Sequence, residues 1–172
     1  MSMLDEETLQ QAIEKATPTE KLRLLAIVQE LDQRRKKEKA RISFMAFVEH
    51  MWPDFIHGAH HRRMADAFER VAHGEVKRLA ICLPPRHTKS EFASYLLPAW
   101  FLGLYPNKQI MQLSHTADLA EQFGRKVRNL VDSDVYHEVF PDTKLRKDST
   151  AAARWNTDKN GIYQAMGVGA AV

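Results

Sequence analysis

Apolar side chains recur at spacings of three and four along much of this chain, give way to one short continuous apolar run before residue 84, and alternate near the end. Residues 5–15 read as a short helix, and Thr17-Pro18-Thr19-Glu20 has the form of a capping box with proline at the first helical position. Leu24, Ile27, Val28 and Leu31 then form one stripe of a helix that runs into RRKKEKAR at residues 34–41. Ser43 is a cap for a turn or two carrying Phe44, Phe47, Val48 and Met51, which Pro53 stops. Residues 60–73 predict a helix with Met64, Phe68 and Val71 inward, closed by Gly74. LAICL, residues 79–83, is apolar without alternation, the signature of a strand covered on both faces of a parallel sheet. A helix over 89–103 follows, with a kink expected at Pro98. Gly103 and Pro106-Asn107 turn the chain into a second strand over 109–114. Thr116 is a cap for a helix reaching about Val131, its inner face being Leu119, Phe123, Val127 and Leu130. A short segment over 135–140 ends at Pro141. Residues 154–157 and 162–166, separated by Asp158-Lys159-Asn160-Gly161, read as a β-hairpin with a favoured Asn-Gly corner.

Helices, then strand–loop–helix–strand–helix, then a hairpin imply an α/β fold with a mostly parallel sheet flanked by helices. The 172 residues, 44% of them apolar, suit one globular domain with an appendage. The boundary is expected near Arg41, separating a helical arm (1–41) from a domain over 42–172. No apolar run is long enough to cross a bilayer, and the acidic, polar start is unlike a signal peptide. Cys82 cannot form an internal disulfide, being the one cysteine; its place inside LAICL reads as a buried core thiol in a reducing compartment.

The net charge of +3 is modest, but its distribution is uneven. Residues 34–41 hold six basic side chains against one Glu, including Arg34, Arg35, Lys36 and Lys37. Arg125, Lys126 and Arg128 form a second group on a later helix. Both are candidate contacts for DNA or a protein partner, set against the ordinary role of solvated helix surface. His57, His60 and His61 have neither a cysteine nor a suitably spaced carboxylate to complete a metal set. Ser114, His115 and Asp118 carry the letters of a triad, but they lie where a strand ends and a helix begins, so capping is the expected use.

The chemistry concentrates in ICLPPRHTKSEF, residues 81–92. Lys89-Ser90 ends this stretch as a phosphate-binding loop ends, between a predicted strand and a predicted helix, although Leu83 and Thr88 occupy the two glycine positions of G-x-x-x-x-G-K-[ST]. Such a loop points consecutive backbone N–H groups at phosphate oxygens, with a helix N-terminus behind them. Pro84 and Pro85 have no N–H to offer, which leaves five backbone donors at 86–90, the Arg86 and Lys89 side chains and the Ser90 hydroxyl. If position 88 requires a positive φ, a β-branched residue there costs about 1–3 kcal/mol.

The wider stretch HHRRMADAFERVAHGEVKRLAICLPPRHTKSEFASYLLPAWFLGLYP resembles the ATPase region of the large terminase subunit, the DNA-packaging motor of tailed bacteriophages. The resemblance continues through SHTADLAEQFGRKVRNLVDSDVYHEVFP and RWNTDKNGIYQAMGVG and covers roughly residues 50–170. The family commonly writes its loop P-P-R-H-G-K-S, so the departure here is Thr88 for glycine. The resemblance implies a P-loop NTPase-like fold and ATP with Mg²⁺ as cofactors, bound by Pro85, Arg86, His87, Thr88, Lys89 and Ser90. In that reading Lys89 pairs with the β- and γ-phosphates, Ser90 ligates Mg²⁺, and Arg86 senses or stabilises charge at the γ-phosphate. Trp52, Phe55, His60 and His61 are candidate adenine contacts.

By the same resemblance the complete protein would be an ATPase driving double-stranded DNA into a procapsid from the host cytoplasm. Its partners would be a portal, a small terminase subunit and further copies in a ring, with no membrane. No apolar run ending in paired acidic residues follows the loop, so the chain reads as the N-terminal portion of such a protein, an incomplete domain without its own turnover. The alternative reading is a non-catalytic docking module for portal, small terminase or DNA.

Overall fold

The computed structural model describes residues 17–168; the helix expected over 5–15 lies outside them. Its elements in chain order are α1 (Pro18–Ile42), α2 (Phe44–Met51), α3 (Ala59–Ala72), a π-helical stretch (Glu91–Leu96) running into α4 (Leu97–Leu104), β1 (Gln109–Ser114), α5 (Ala117–Val131), α6 (Asp134–Val139), β2 (Leu145–Thr150), β3 (Arg154–Thr157) and β4 (Ile162–Gly167). The chain divides into two compact units, residues 1–36 and 37–172.

In the first unit the capping box forms. The Thr17 N–H donates to Glu20 Oε2 at 2.8 Å, and the Glu20 N–H returns to Thr17 Oγ1 at 3.4 Å. The apolar stripe of this helix, Leu24, Ile27, Val28 and Leu31, is exposed, as are Leu22 and Leu25.

The second unit is built around aromatic side chains. Phe44, Phe47, Phe92, Trp100, Tyr136, Trp155 and Tyr163 are all fully buried. Each polar ring atom that this burial takes from water finds a partner: Trp100 Nε1 donates to Ala40 O, Tyr136 OH to Ala99 O, Trp155 Nε1 to Gly124 O and Tyr163 OH to Gln112 Oε1. Ser43 and Thr116 cap α2 and α5 as expected, accepting from the N–H groups of Ala46 and Leu119. Gly74 closes α3 with φ 78°. Before Pro98 the helix shifts into π geometry, and the Leu97 N–H reaches Phe92 O, five residues back. A proline removes one rung of the helical ladder, and the wider turn absorbs that loss.

The sheet is open and mixed, in the order β1-β4-β3-β2. Among the described residues only β1 and β4 run parallel; β4–β3 and β3–β2 are antiparallel. The mostly parallel sheet expected from the sequence is therefore corrected. Short connections join β2, β3 and β4, and such connections force antiparallel pairing, whereas the path from β1 to β4 passes through α5 and α6 and permits a parallel one. The hairpin is present, with Trp155 opposite Tyr163 and their rings stacked at 5.0 Å. Asn160 at the corner adopts φ 64°.

A second correction concerns residues 79–83, which join no strand ladder. Leu79, Ala80 and Cys82 are exposed, while Ile81 and Leu83 pack partly against the core. Apolar content alone suggested a strand buried on both faces, but among the described residues no strand pairs with this segment. Cys82 is consequently an exposed thiol rather than a core one. β2 was not anticipated; LRKDST lacks apolar alternation, as suits an edge strand shielded by charge.

The inner face of α5 is Ala120, Gly124, Val127 and Val131, about one position round from the expected stripe; Leu119 is exposed, and Phe123 and Leu130 are half-buried. Small residues win because α5 lies close on the sheet side of the core. A Cβ at Gly124 would stand 2.3 Å from Ala152 O and 3.3 Å from the Tyr163 ring. Alanine in a helix interior normally stabilises by about 1 kcal/mol over glycine. Here Gly124→Ala is expected to destabilise by about 1–3 kcal/mol through overpacking, read from the urea midpoint.

Candidate functional site

The loop over 84–90 leads from the unpaired segment into the helix that continues to Leu104. Thr88 O accepts the Phe92 N–H at 3.0 Å, so Thr88 stands at the N-cap and Lys89 and Ser90 begin the first turn. Within this loop two non-glycine residues are left-handed, Arg86 at φ 64° and Thr88 at φ 53°. The positive φ considered for position 88 is thus present, and Arg86 adds a second. Left-handed residues at alternate positions turn successive N–H groups toward the inside of a bend, which is how a backbone anion nest is built. Among the described residues, none of the N–H groups at 86–90 donates to a protein acceptor.

Lys89 Nζ donates to Leu83 O at 3.0 Å, tying the end of the loop to its start. Among the described residues no carboxylate pairs with the ammonium, so two of its N–H donors are left over from the Leu83 contact. Pro85, Arg86, His87 and Ser90 are exposed; Thr88 and Lys89 are half-buried. His87 Nδ1 lies 2.9 Å from Pro85 O, which can only accept, so this ring nitrogen carries a proton.

The residues singled out upstream lie beside this loop. Trp52 and Phe55 have ring centroids 4.9 Å apart, Phe55 and His61 4.8 Å, and His60 and His87 5.6 Å. His61 is 6% exposed and is enclosed by the rings of Phe55, His60 and Phe92. It has no free face for a base; Trp52, 40% exposed, does. His61 also reaches the loop directly, with Nε2 2.7 Å from Thr88 Oγ1. Burial, followed by the neighbouring charges of His60, His57 and His87, pushes its pKa below the usual histidine value. Nothing in the loop spelling announces this contact. The available signal was helical spacing: His61 falls on the face of Met64, Ala65, Phe68 and Ala72, all buried.

Other candidates fall apart. Lys126 is occupied by Glu91 at 2.9 Å and lies over the Tyr95 and Phe123 rings. Arg128 donates to Asn129, and Arg125 is exposed. Lys37 pairs with Glu138 at 3.1 Å, whereas Arg34, Arg35 and Lys36 belong to the first unit and are exposed. His115 and Asp118 are exposed and Ser114 is half-buried, with no hydrogen bond joining them into a triad among the described residues. Among the described residues no group of three or more His, Cys, Asp or Glu could hold a metal by itself. A Mg²⁺ held mainly by phosphate oxygens needs only one or two protein ligands, and the exposed Ser90 hydroxyl at the start of the helix fits that demand. A cavity of about 380 Å³ between Val71, Leu97, Phe101 and β1 includes no residue of the loop.

No protein-family model, curated protein or solved structure matches this chain. Among the described residues no helix is long and apolar enough to cross a membrane.

Proposed function

We propose that this chain is a nucleotide-binding module of the phosphate-loop class that holds Mg·ATP at residues 85–90. Within that class, the reading carried forward is the ATP-binding part of a large terminase subunit, the motor of viral DNA packaging. One observation carries the first step: five consecutive N–H groups without acceptors among the described residues, beside the Lys89 ammonium, where a bend enters a helix. Each is a donor that a polyphosphate can satisfy, and the helix N-terminus favours negative charge there. The second step rests on the resemblance of residues 50–170, in particular PPRHTKS and its flanks.

In this reading the amides at 86–90 and Lys89 bind the β- and γ-phosphates, Arg86 spreads its guanidinium over the terminal phosphate, and Ser90 ligates Mg²⁺. Trp52 and His60 offer the base its ring contacts. Mg²⁺ would neutralise phosphate charge. Hydrolysis would call for further groups, because a phosphate-loop enzyme needs a carboxylate to hold the metal and a group to orient water. Neither β1, ending at Ser114, nor β4, ending at Gly167, carries an acidic residue at that position. DNA, portal and small terminase remain the proposed partners of the whole protein, with residues 34–36 as a candidate DNA contact.

The experiment is a calorimetric titration of Mg·ATP into the full chain. Saturable one-to-one binding that pyrophosphate competes away, without steady hydrolysis, is the expected result. No heat of binding at millimolar Mg·ATP overturns the reading and leaves the docking module as the better account.

A further inference from the structure

We infer that His61 is a positioning residue of the phosphate loop, its ring Nε2 anchoring the Thr88 hydroxyl so that the loop backbone is set before nucleotide arrives. The purpose of the anchor rests on the nucleotide-binding reading above; the anchor itself rests on geometry.

The hydrogen-bond roles form one consistent chain. The Gly58 N–H donates to His61 Nδ1 at 2.9 Å, so Nδ1 is an acceptor and carries no proton. In the neutral ring the proton is therefore on Nε2, which donates to Thr88 Oγ1 at 2.7 Å. The Thr88 hydroxyl sends its own hydrogen to His87 O at 2.8 Å. The anchor thus runs from the start of α3 through an imidazole into the backbone on the N-terminal side of Thr88. Its far end is enclosed: the His61 ring packs against Phe92, Phe55 and His60 at centroid distances of 5.2, 4.8 and 3.7 Å.

The anchor answers a specific difficulty. A β-branched residue at φ 53° is strained and would relax to another conformation unless its surroundings held it. A glycine at position 88 would accept the left-handed turn without strain, yet would leave the loop free to sample others. Threonine with a fixed partner trades strain for order, and an ordered loop loses less entropy when ligand binds. Thr88→Gly removes strain and anchor together and so discriminates poorly. Thr88→Val keeps the shape and the strain but deletes the hydroxyl.

The chain also fixes a pH dependence. Protonating Nδ1 removes the acceptor that the Gly58 N–H uses. The titratable and charged groups facing His61 are His57 and His60 on its own segment, with Arg62 and Glu49 beyond at His57, and His87 from the loop; Phe55 and Phe92 contribute none. Since His61 in the fold resists protonation, the Gly58 contact at Nδ1 persists below the ordinary histidine pKa of about 6.5 and is lost only as pH falls through the depressed value, while Nε2 keeps its proton and its bond to Thr88 in either charge state.

The test uses the full chain with Thr88→Val, Thr88→Ser and His61→Phe. Two readouts need no nucleotide: the tautomer of the His61 ring from its nitrogen NMR shifts, and backbone order parameters at 86–90. The expected result is a ring protonated on Nε2 at pH 7.5, wild-type loop order in Thr88→Ser, and lower order in Thr88→Val and His61→Phe. Acidification from pH 7.5 to 6.5 should leave loop order in the wild type unchanged, because His61 resists protonation and its Nε2 donates in either charge state. For Mg·ATP, Thr88→Val and His61→Phe should each weaken binding about fivefold, the double variant by no more than either, and Thr88→Ser hardly at all. A ring protonated on Nδ1, or Val and Ser variants with equal loop order, overturns the anchor. Failure of the wild type to bind Mg·ATP overturns the functional reading instead, and the NMR arms still decide the anchor.

Discussion

Lys89→Ala is expected to weaken Mg·ATP binding by at least about a hundredfold, equivalent to about 2.7 kcal/mol, with little effect on the fold. In the proposed reading the ammonium would be the strongest positive group facing the phosphates, and truncating a charged partner in a desolvated contact typically costs about 2–5 kcal/mol. Without nucleotide its visible role is one hydrogen bond to Leu83 O. That bond contributes about 1 kcal/mol to stability, so the variant should unfold close to the wild-type midpoint. Calorimetry for binding and urea unfolding for stability separate the two effects. An affinity within a factor of three of the wild type would remove Lys89 from the site.

The largest effect on stability is expected at Phe92. Its side chain is fully buried and packs against Phe44 at 5.7 Å, Phe55 at 5.4 Å and His61 at 5.2 Å. Removing a core phenyl ring costs about 3–5 kcal/mol through lost burial and the cavity left behind. Domains of this size are stable by about 5–15 kcal/mol in total, so Phe92→Ala should consume a large part of that margin. The residue also joins two parts of the molecule: it lies in the first turn of the loop's helix and forms one wall of the His61 pocket. Phe92→Leu, which refills most of the volume, should recover more than half of the loss in urea unfolding. Should alanine shift the midpoint no more than leucine does, the ring is not the packing centre described here.

How far the sequence was readable depends on which physical signal each element emits. Caps are local: Thr17, Ser43 and Thr116 act on amides three residues on, and all three were legible. The Asp-Lys-Asn-Gly hairpin was legible for the same reason. Residues 79–83 misled because apolar content reports a tendency toward burial and says nothing about whether a strand partner exists. The α5 face differs from its large-residue stripe because side-chain size does not set the inward side: Gly124 and Ala120 admit the close approach. β2 emits no apolar pattern at all. At the site, the spelling raised a positive φ at 88 as a condition of a phosphate loop, which the backbone meets, and it carried no sign of the anchor to His61. That contact spans 27 residues and needs the fold to bring its ends together.

The central claim is that the backbone amides at 86–90 are donors waiting for a polyphosphate. Amide hydrogen exchange on the full chain, with and without saturating Mg·ATP, measures those groups themselves. Lacking protein acceptors, they should exchange fast in the free chain and become strongly protected in the complex, more than any other loop, while Lys89→Ala abolishes the protection. Exchange at 86–90 that is already slow without nucleotide, or that stays fast when Mg·ATP is bound, would contradict the account.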